Sequence, residues 1–158
     1  MVSVATRMEA LNIVLPPVAR ALATYVPAVI TGSLCFTSGQ LPVIDGVPVY
    51  TGLLGREVDL DQGYDAARLA ALNALSAAQD AAGGLAHLDR IVKLTVFVQS
   101  ANDFHQQAKV ANGASDLFEA LFADKGRHAR SAVGVSALPL NVPVEVECIF
   151  SLEGSSHD

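Results

Sequence analysis

The chain has 158 residues and a net charge of −6, with 51% hydrophobic and only 16% charged residues. That length fits one domain with a real core, and the charged share is low for a soluble monomer, so apolar faces are expected to be covered by further copies of the chain. Ten Lys and Arg without a basic run argue against a nucleic-acid-binding surface, because phosphate neutralisation supplies most of such affinity.

Residues 1–24 read as an extension with a short helix around Thr6 to Ile13, stopped by Leu15-Pro16-Pro17. It lacks the long apolar core and small-residue cleavage site of a signal peptide. No later stretch approaches the roughly 18–20 apolar residues of a membrane span. A cytoplasmic location with no membrane contact is therefore expected.

Two β-rich runs, Tyr25–Ile30 and Leu34–Ser38, flank Thr31-Gly32-Ser33 and predict a hairpin. A second hairpin is predicted at Val43–Val49, where Asp45-Gly46 supplies the positive φ angles of a tight turn. Asp59 or Asp61 can cap a helix over about 62–82 that closes at Gly83-Gly84. Its many alanines suit close packing on a sheet. Arg90–Gln99 is the clearest strand, with Val92, Leu94, Val96 and Val98 expected on the helix-covered face. A second helix is predicted from Asn102 to Phe122, capped by Asn102 or Asp103. Two final strands, Arg130–Ala137 and Pro143–Leu152, flank Leu138-Pro139-Leu140-Asn141 and are expected to pair as a hairpin.

This order predicts an α+β fold, a mainly antiparallel or mixed six-stranded sheet with two helices on one face. The other face would carry Phe97, Thr95 and Ile149 beside Glu145, Glu147 and Arg130, a mixture suited to burial against symmetry mates. Cys35 and Cys148 sit in strand-like runs and are expected to be buried, reduced thiols.

Arg130 shares a strand face with the small residues Ala132 and Gly134, which leaves room for a ligand beside a planar fork matched to a carboxylate. An interface salt bridge with Glu145 or Glu147 is the competing reading of the same residue. Glu145 and Glu147 share a face, and neighbouring buried carboxylates raise each other's pKa, so one suits a general base or a water-orienting role. Two exposed strand glutamates remain the bland alternative. In the hairpin register, Glu145 faces Ser136 and Arg130 lies six residues away, roughly 20 Å at ~3.3 Å per residue. The two could then share a small substrate only across a subunit boundary.

Ser38 and Ser115 are weaker candidates, since neither lies in the GxSxG turn of a hydrolase. His128 is the only histidine near enough in sequence to Arg130 to serve as a base for a serine. His87, His105, His128 and His157 show no paired ligand spacing, so no metal site is expected.

Several motifs together resemble the Rid family, also called YjgF-type proteins. They are Tyr25 ahead of the first strand pair, Phe36-Thr37-Ser38-Gly39-Gln40-Leu41-Pro42, Val92–Val98 leading into Asn102-Asp103-Phe104, Ala129-Arg130-Ser131-Ala132-Val133, Leu138-Pro139 and Val144-Glu145-Val146-Glu147. The likeness runs from Tyr25 to Leu152. It divides the chain into an extension over 1–24, one domain over 25–152, and a flexible tail over 153–158. It implies a chorismate-mutase-like fold in a homotrimer with clefts between subunits and no cofactor. It also implies hydrolysis of 2-imino acids to 2-keto acid and ammonia. Carried over by position, Arg130 holds the substrate carboxylate, Glu145 orients the attacking water, and Tyr25 and Ser38 line the pocket. Ala132 stands where many members carry a cysteine. Ser115 stands where many carry an asparagine, with Asn112 just upstream. Two further readings are a non-catalytic or differently specific small-carboxylate-binding trimer and, against the acidic balance, a ribonuclease or translation inhibitor.

Overall fold

The computed structural model describes residues 1–21 and 23–154; His157 and most of the expected tail over 153–158 lie outside the described residues. In chain order the elements are α1 (Val4–Ala10), β1 (Ala28–Thr31), β2 (Leu34–Thr37), β3 (Val43–Ile44), β4 (Val47–Pro48), α2 (Leu60–Ala82), β5 (Leu88–Gln99), α3 (Gln107–Phe122), β6 (Ala129–Val135) and β7 (Val144–Leu152). Five strands form one mixed sheet in the order β1-β2-β7-β5-β6, while β3 and β4 pair only with each other. The 43–48 hairpin thus stands apart from the sheet in which six strands were expected.

Helix α2 forms where its signals are strongest. The Asp59 side chain accepts from the Gln62 backbone N–H, and the Gln62 side chain accepts from the Asp59 N–H, a reciprocal cap that ends at Gly83 in a left-handed conformation. Its small buried face, including Ala66, Ala70, Ala74 and Ala78, lies against Leu94, Val96, Val146 and Phe150 in one core. Helix α3 approaches α2 so closely that a Cβ on Gly113 would fall 2.0 Å from the Tyr64 carbonyl oxygen. Only glycine fits that crossing, and Tyr64 Oη adds a hydrogen bond to Asp116 at 2.8 Å.

Three expectations are corrected. First, β6 and β7 do not form a hairpin. Strand β5 lies between them, parallel to β6 and antiparallel to β7. The connection between β6 and β7 crosses the end of β5, where buried Gln99 accepts from the Leu138 N–H at 2.7 Å and donates to Asn141 Oδ1 at 2.8 Å. A strand–helix–strand unit such as β5-α3-β6 places its strands in parallel, as the connection demands.

Second, β5 carries register shifts between Leu88 and Arg90 and between Ile91 and Lys93. They turn Ile91 into the core and leave Val92 half-buried, opposite to the simple alternation. Third, α3 begins at Gln107 rather than Asn102, and Asp103 pairs with Arg56 at 3.0 Å instead of capping the helix.

The N-terminal extension is docked on the domain. Met8 of α1 is buried in the main core, with Ile13 and Leu15 packed against it. Ser76 Oγ of α2 donates to the Pro16 carbonyl at 2.6 Å.

Candidate active site

Paired residues on neighbouring strands point to the same side of a sheet, so the register settles where each candidate faces. Arg130 pairs with Leu94, Ala132 with Val96 and Gly134 with Val98, all on the helix-covered side. Glu145 pairs with Phe97 and Glu147 with Thr95 on the open side. The expectation that Arg130 shares the open face with the glutamates is therefore overturned. Because β6 is parallel to β5 and its Arg130 matches a core residue, its side chain reaches α3. The expected register across a β6–β7 hairpin falls with the hairpin. Within one chain the two residues still do not meet: they are offset by three positions along β5 and by two strand spacings, roughly 14 Å between Cα atoms.

Arg130 is held by three uncharged acceptors. Its Nη1 donates to Asn112 Oδ1 at 2.8 Å and to Ser115 Oγ at 3.0 Å, and its Nη2 donates to the Ala108 carbonyl at 3.3 Å. Among the described residues no carboxylate lies within ion-pair distance of it. Asn112 and Ser115 are three apart on α3 and so share one face of the helix. A shallow concavity of about 270 Å³ opens here, lined by Ser115, Glu119, Gly126, Arg127, His128 and Arg130. Ala132 packs against the core beneath it.

On the open side Glu145 is half-buried, and burial followed by repulsion from Glu147 pushes its carboxyl above the usual glutamate range. Its carboxylate rests on Gly39, where an added Cβ would sit 2.6 Å from Oε1. The Gly39 segment is fixed by paired backbone bonds between Gln40 and Val146, at 2.7 and 2.9 Å. Ser38 Oγ donates to the Val26 carbonyl at 2.6 Å, which ties the Tyr25 segment beside it.

Tyr25 and Gly39 also line a larger cleft of about 440 Å³ beneath residues 16–21 of the extension. Neither Arg130 nor Glu145 lines it. The structure thus gathers Arg130, Asn112 and Ser115 into one cluster, and Tyr25, Ser38 and Glu145 into the neighbourhood of another. Among the described residues no three His, Cys, Asp or Glu side chains group so as to hold a metal ion. Cys35 and Cys148 are buried and unpaired with each other, and burial raises both thiols.

Sequence reasoning names Ser115 as a weaker candidate and His128 as the nearby base for a serine. The structure sets Ser115 Oγ 2.9 Å from His128 Nε2, a contact the sequence alone does not specify. The thirteen-residue separation carries no periodic signal, and only the packing of α3 on β6 brings the two together.

The family model described as "YjgF/chorismate_mutase-like, putative endoribonuclease" matches residues 5–152, so the chain belongs to that family. The chain is 44% identical over 150 residues to Protein TCP17 of Trypanosoma cruzi, covering 94% of each. It is 34% identical over 131 residues to the 2-iminobutanoate/2-iminopropanoate deaminase of Salmonella typhimurium, covering 82% of this chain and 88% of the relative. Among solved structures, a "putative endoribonuclease" from Shewanella oneidensis superposes with a TM-score of 0.92 at 35% identity, over 96% of this chain and 100% of that one. Escherichia coli TdcF with bound serine superposes with a TM-score of 0.58 at 32% identity, over 87% and 93% of the two chains. No helix among the described residues is long and apolar enough to cross a membrane.

Proposed function

We propose that this protein hydrolyses short 2-imino acids to 2-keto acids and ammonia, in a homotrimer whose sites lie between subunits. The observation that carries the reading is the Arg130 guanidinium, held in place by neutral acceptors and left with its charge uncompensated by any described carboxylate. A rigid, unneutralised fork of this kind suits a substrate carboxylate. The name of the Salmonella relative supports the reaction, and the serine bound by TdcF supports a small carboxylate as ligand.

The chemistry asks mainly for orientation. The substrate carboxylate binds Arg130 of one subunit, with Asn112 and Ser115 beside it and Ala132 as the floor. Glu145 of a neighbouring subunit accepts a hydrogen bond from a water and directs its oxygen at the imine carbon, with Tyr25 and Ser38 lining that wall. Attack gives a carbinolamine, a proton passes from the water-derived oxygen to nitrogen, the C–N bond breaks, and ammonia leaves a 2-keto acid. Positioning the reactants within about 3–3.5 Å supplies most of the gain, because the imine is already electrophilic. A raised carboxyl on Glu145 makes it a better proton acceptor once ionised.

A second reading is a carboxylate-binding trimer without this turnover, favoured by Ala132 in place of a nucleophilic side chain. The ribonuclease reading rests on names given to relatives, and the charge of −6 opposes it.

The test is 2-keto acid formation from 2-iminopropanoate generated in situ, with Arg130→Ala as control. Acceleration over the spontaneous rate that disappears in the variant supports the deaminase. No acceleration with 2-iminopropanoate, 2-iminobutanoate or bulkier imino acids moves the assignment to the carboxylate binder.

A further inference from the structure

The hydrogen bonds around Ser115 fix a direction for its proton. The Gly126 carbonyl can only accept, so the 2.5 Å contact with His128 Nδ1 places a hydrogen on that nitrogen in the neutral ring. His128 Nε2 is then the bare nitrogen, and it accepts from Ser115 Oγ at 2.9 Å. Arg130 Nη1 donates to the same oxygen from 3.0 Å. Ser115 Oγ thus gives its proton toward a base, receives a hydrogen bond from a cation, and keeps one lone pair unused.

The base is itself oriented. The His128 ring stands edge-on to buried Phe118, with centroids 6.4 Å apart and planes at 83°. Gly126 leaves no freedom behind it, since a Cβ there would fall 2.3 Å from the Phe118 carbonyl oxygen. Ser115, His128 and Arg130 all line the concavity of about 270 Å³, beside Arg127. A serine, a base within hydrogen-bond reach and a third group holding that base are the requirements of an activated nucleophile.

We infer that Ser115 is a second reactive centre, an acyl-accepting nucleophile served by His128, for small activated esters that carry or develop negative charge beside Arg130. The Ser115 oxygen attacks the acyl carbon and its proton passes to His128 Nε2. Arg130 stabilises the oxyanion. The bond to the leaving oxygen breaks, and the Nε2 proton goes to the departing alcohol. Water then attacks the acyl-serine with His128 as base, releasing the acid and restoring Ser115. The sum is ester plus water giving acid plus alcohol. This inference shares Arg130 with the imine reading and does not rest on it.

The test uses the full chain with p-nitrophenyl acetate, following nitrophenolate release and mapping acetyl groups by mass spectrometry. We expect a burst of about one nitrophenolate per chain with the acetyl group on Ser115. His128→Ala should slow that acetylation about 100-fold, the size of a general-base contribution, and Ser115→Ala should remove the adduct. His128→Gln gives the same reading should the alanine variant fail to fold. Acetyl groups confined to lysines or the amino terminus, or Ser115 acetylation unchanged in the His128 variants, would overturn the inference. Either result leaves the imine assay untouched, so failure here is distinct from failure of the proposed function.

Discussion

Arg130 and Glu145 stand on opposite faces of one sheet, Arg130 in register with Leu94 and Glu145 in register with Phe97. Each is fixed by its own local device, the arginine by α3 and the glutamate by Gly39. A substrate that uses both must therefore lie between two chains. That separation also lets each half be perturbed without disturbing the other.

Replacing Glu145 by glutamine removes a carboxyl whose folded pKa is raised by burial and by Glu147. For such a group the sign is definite. Its contribution to stability is fully present below the ordinary glutamate value and is lost as pH rises through the raised folded value. Glu145→Gln is thus expected to melt higher than the parent at pH 7, with the gap closing near pH 4. Thermal melts at the two pH values check this. Imine turnover in the parent should fall in acid at a pH above that of an ordinary glutamate, and it should be absent in the variant at every pH.

Gly39→Ala tests the seat of that carboxylate. The added methyl falls 2.6 Å from Glu145 Oε1, the far end of a side chain that can swing away. The fold should survive, with a melting temperature close to that of the parent. Imine turnover should drop about 10- to 100-fold, since small misplacements at a positioned group are that costly. A variant with full activity would show that Glu145 does not need this position.

Gln99→Leu tests the crossing between β6 and β7. Gln99 is 3% exposed and serves the Gly52 carbonyl, Asn141 Oδ1 and the Leu138 N–H. Losing three hydrogen bonds at about 1 kcal/mol each should cost about 3 kcal/mol. Differential scanning calorimetry should show a fall of roughly 6–12 °C for a chain of this size.

What the sequence disclosed follows the range of the interactions involved. Helix α2 was legible because its signals are local: Asp59 and Gln62 three apart, and Gly83 at the end. The first hairpin was legible for the same reason, with Ala28–Thr31 and Leu34–Thr37 joined by Gly32-Ser33. The last two strands were not. Leu138–Asn141 looks like a hairpin turn, and Leu140 and Asn141 do adopt positive φ, yet the turn closes over Gln99 from a strand forty residues earlier. Arg130 and Glu145 could be named from residue type and motif, but their faces depend on partner strands that no short window contains. The pairing of Ser115 with His128 needs α3 set down at one rotation, which Gly113 against Tyr64 decides.

The most direct measurement mixes two inactive proteins. Arg130→Ala and Glu145→Gln are each expected to lack imine turnover, and they are co-expressed at equal levels so that subunits assort. A site built from Arg130 of one chain and Glu145 of the next is intact in about one quarter of the interfaces of random trimers, so about a quarter of the parent activity should return. Activity that stays at the spontaneous rate, in mixed trimers confirmed by mass spectrometry, would contradict a site shared between chains.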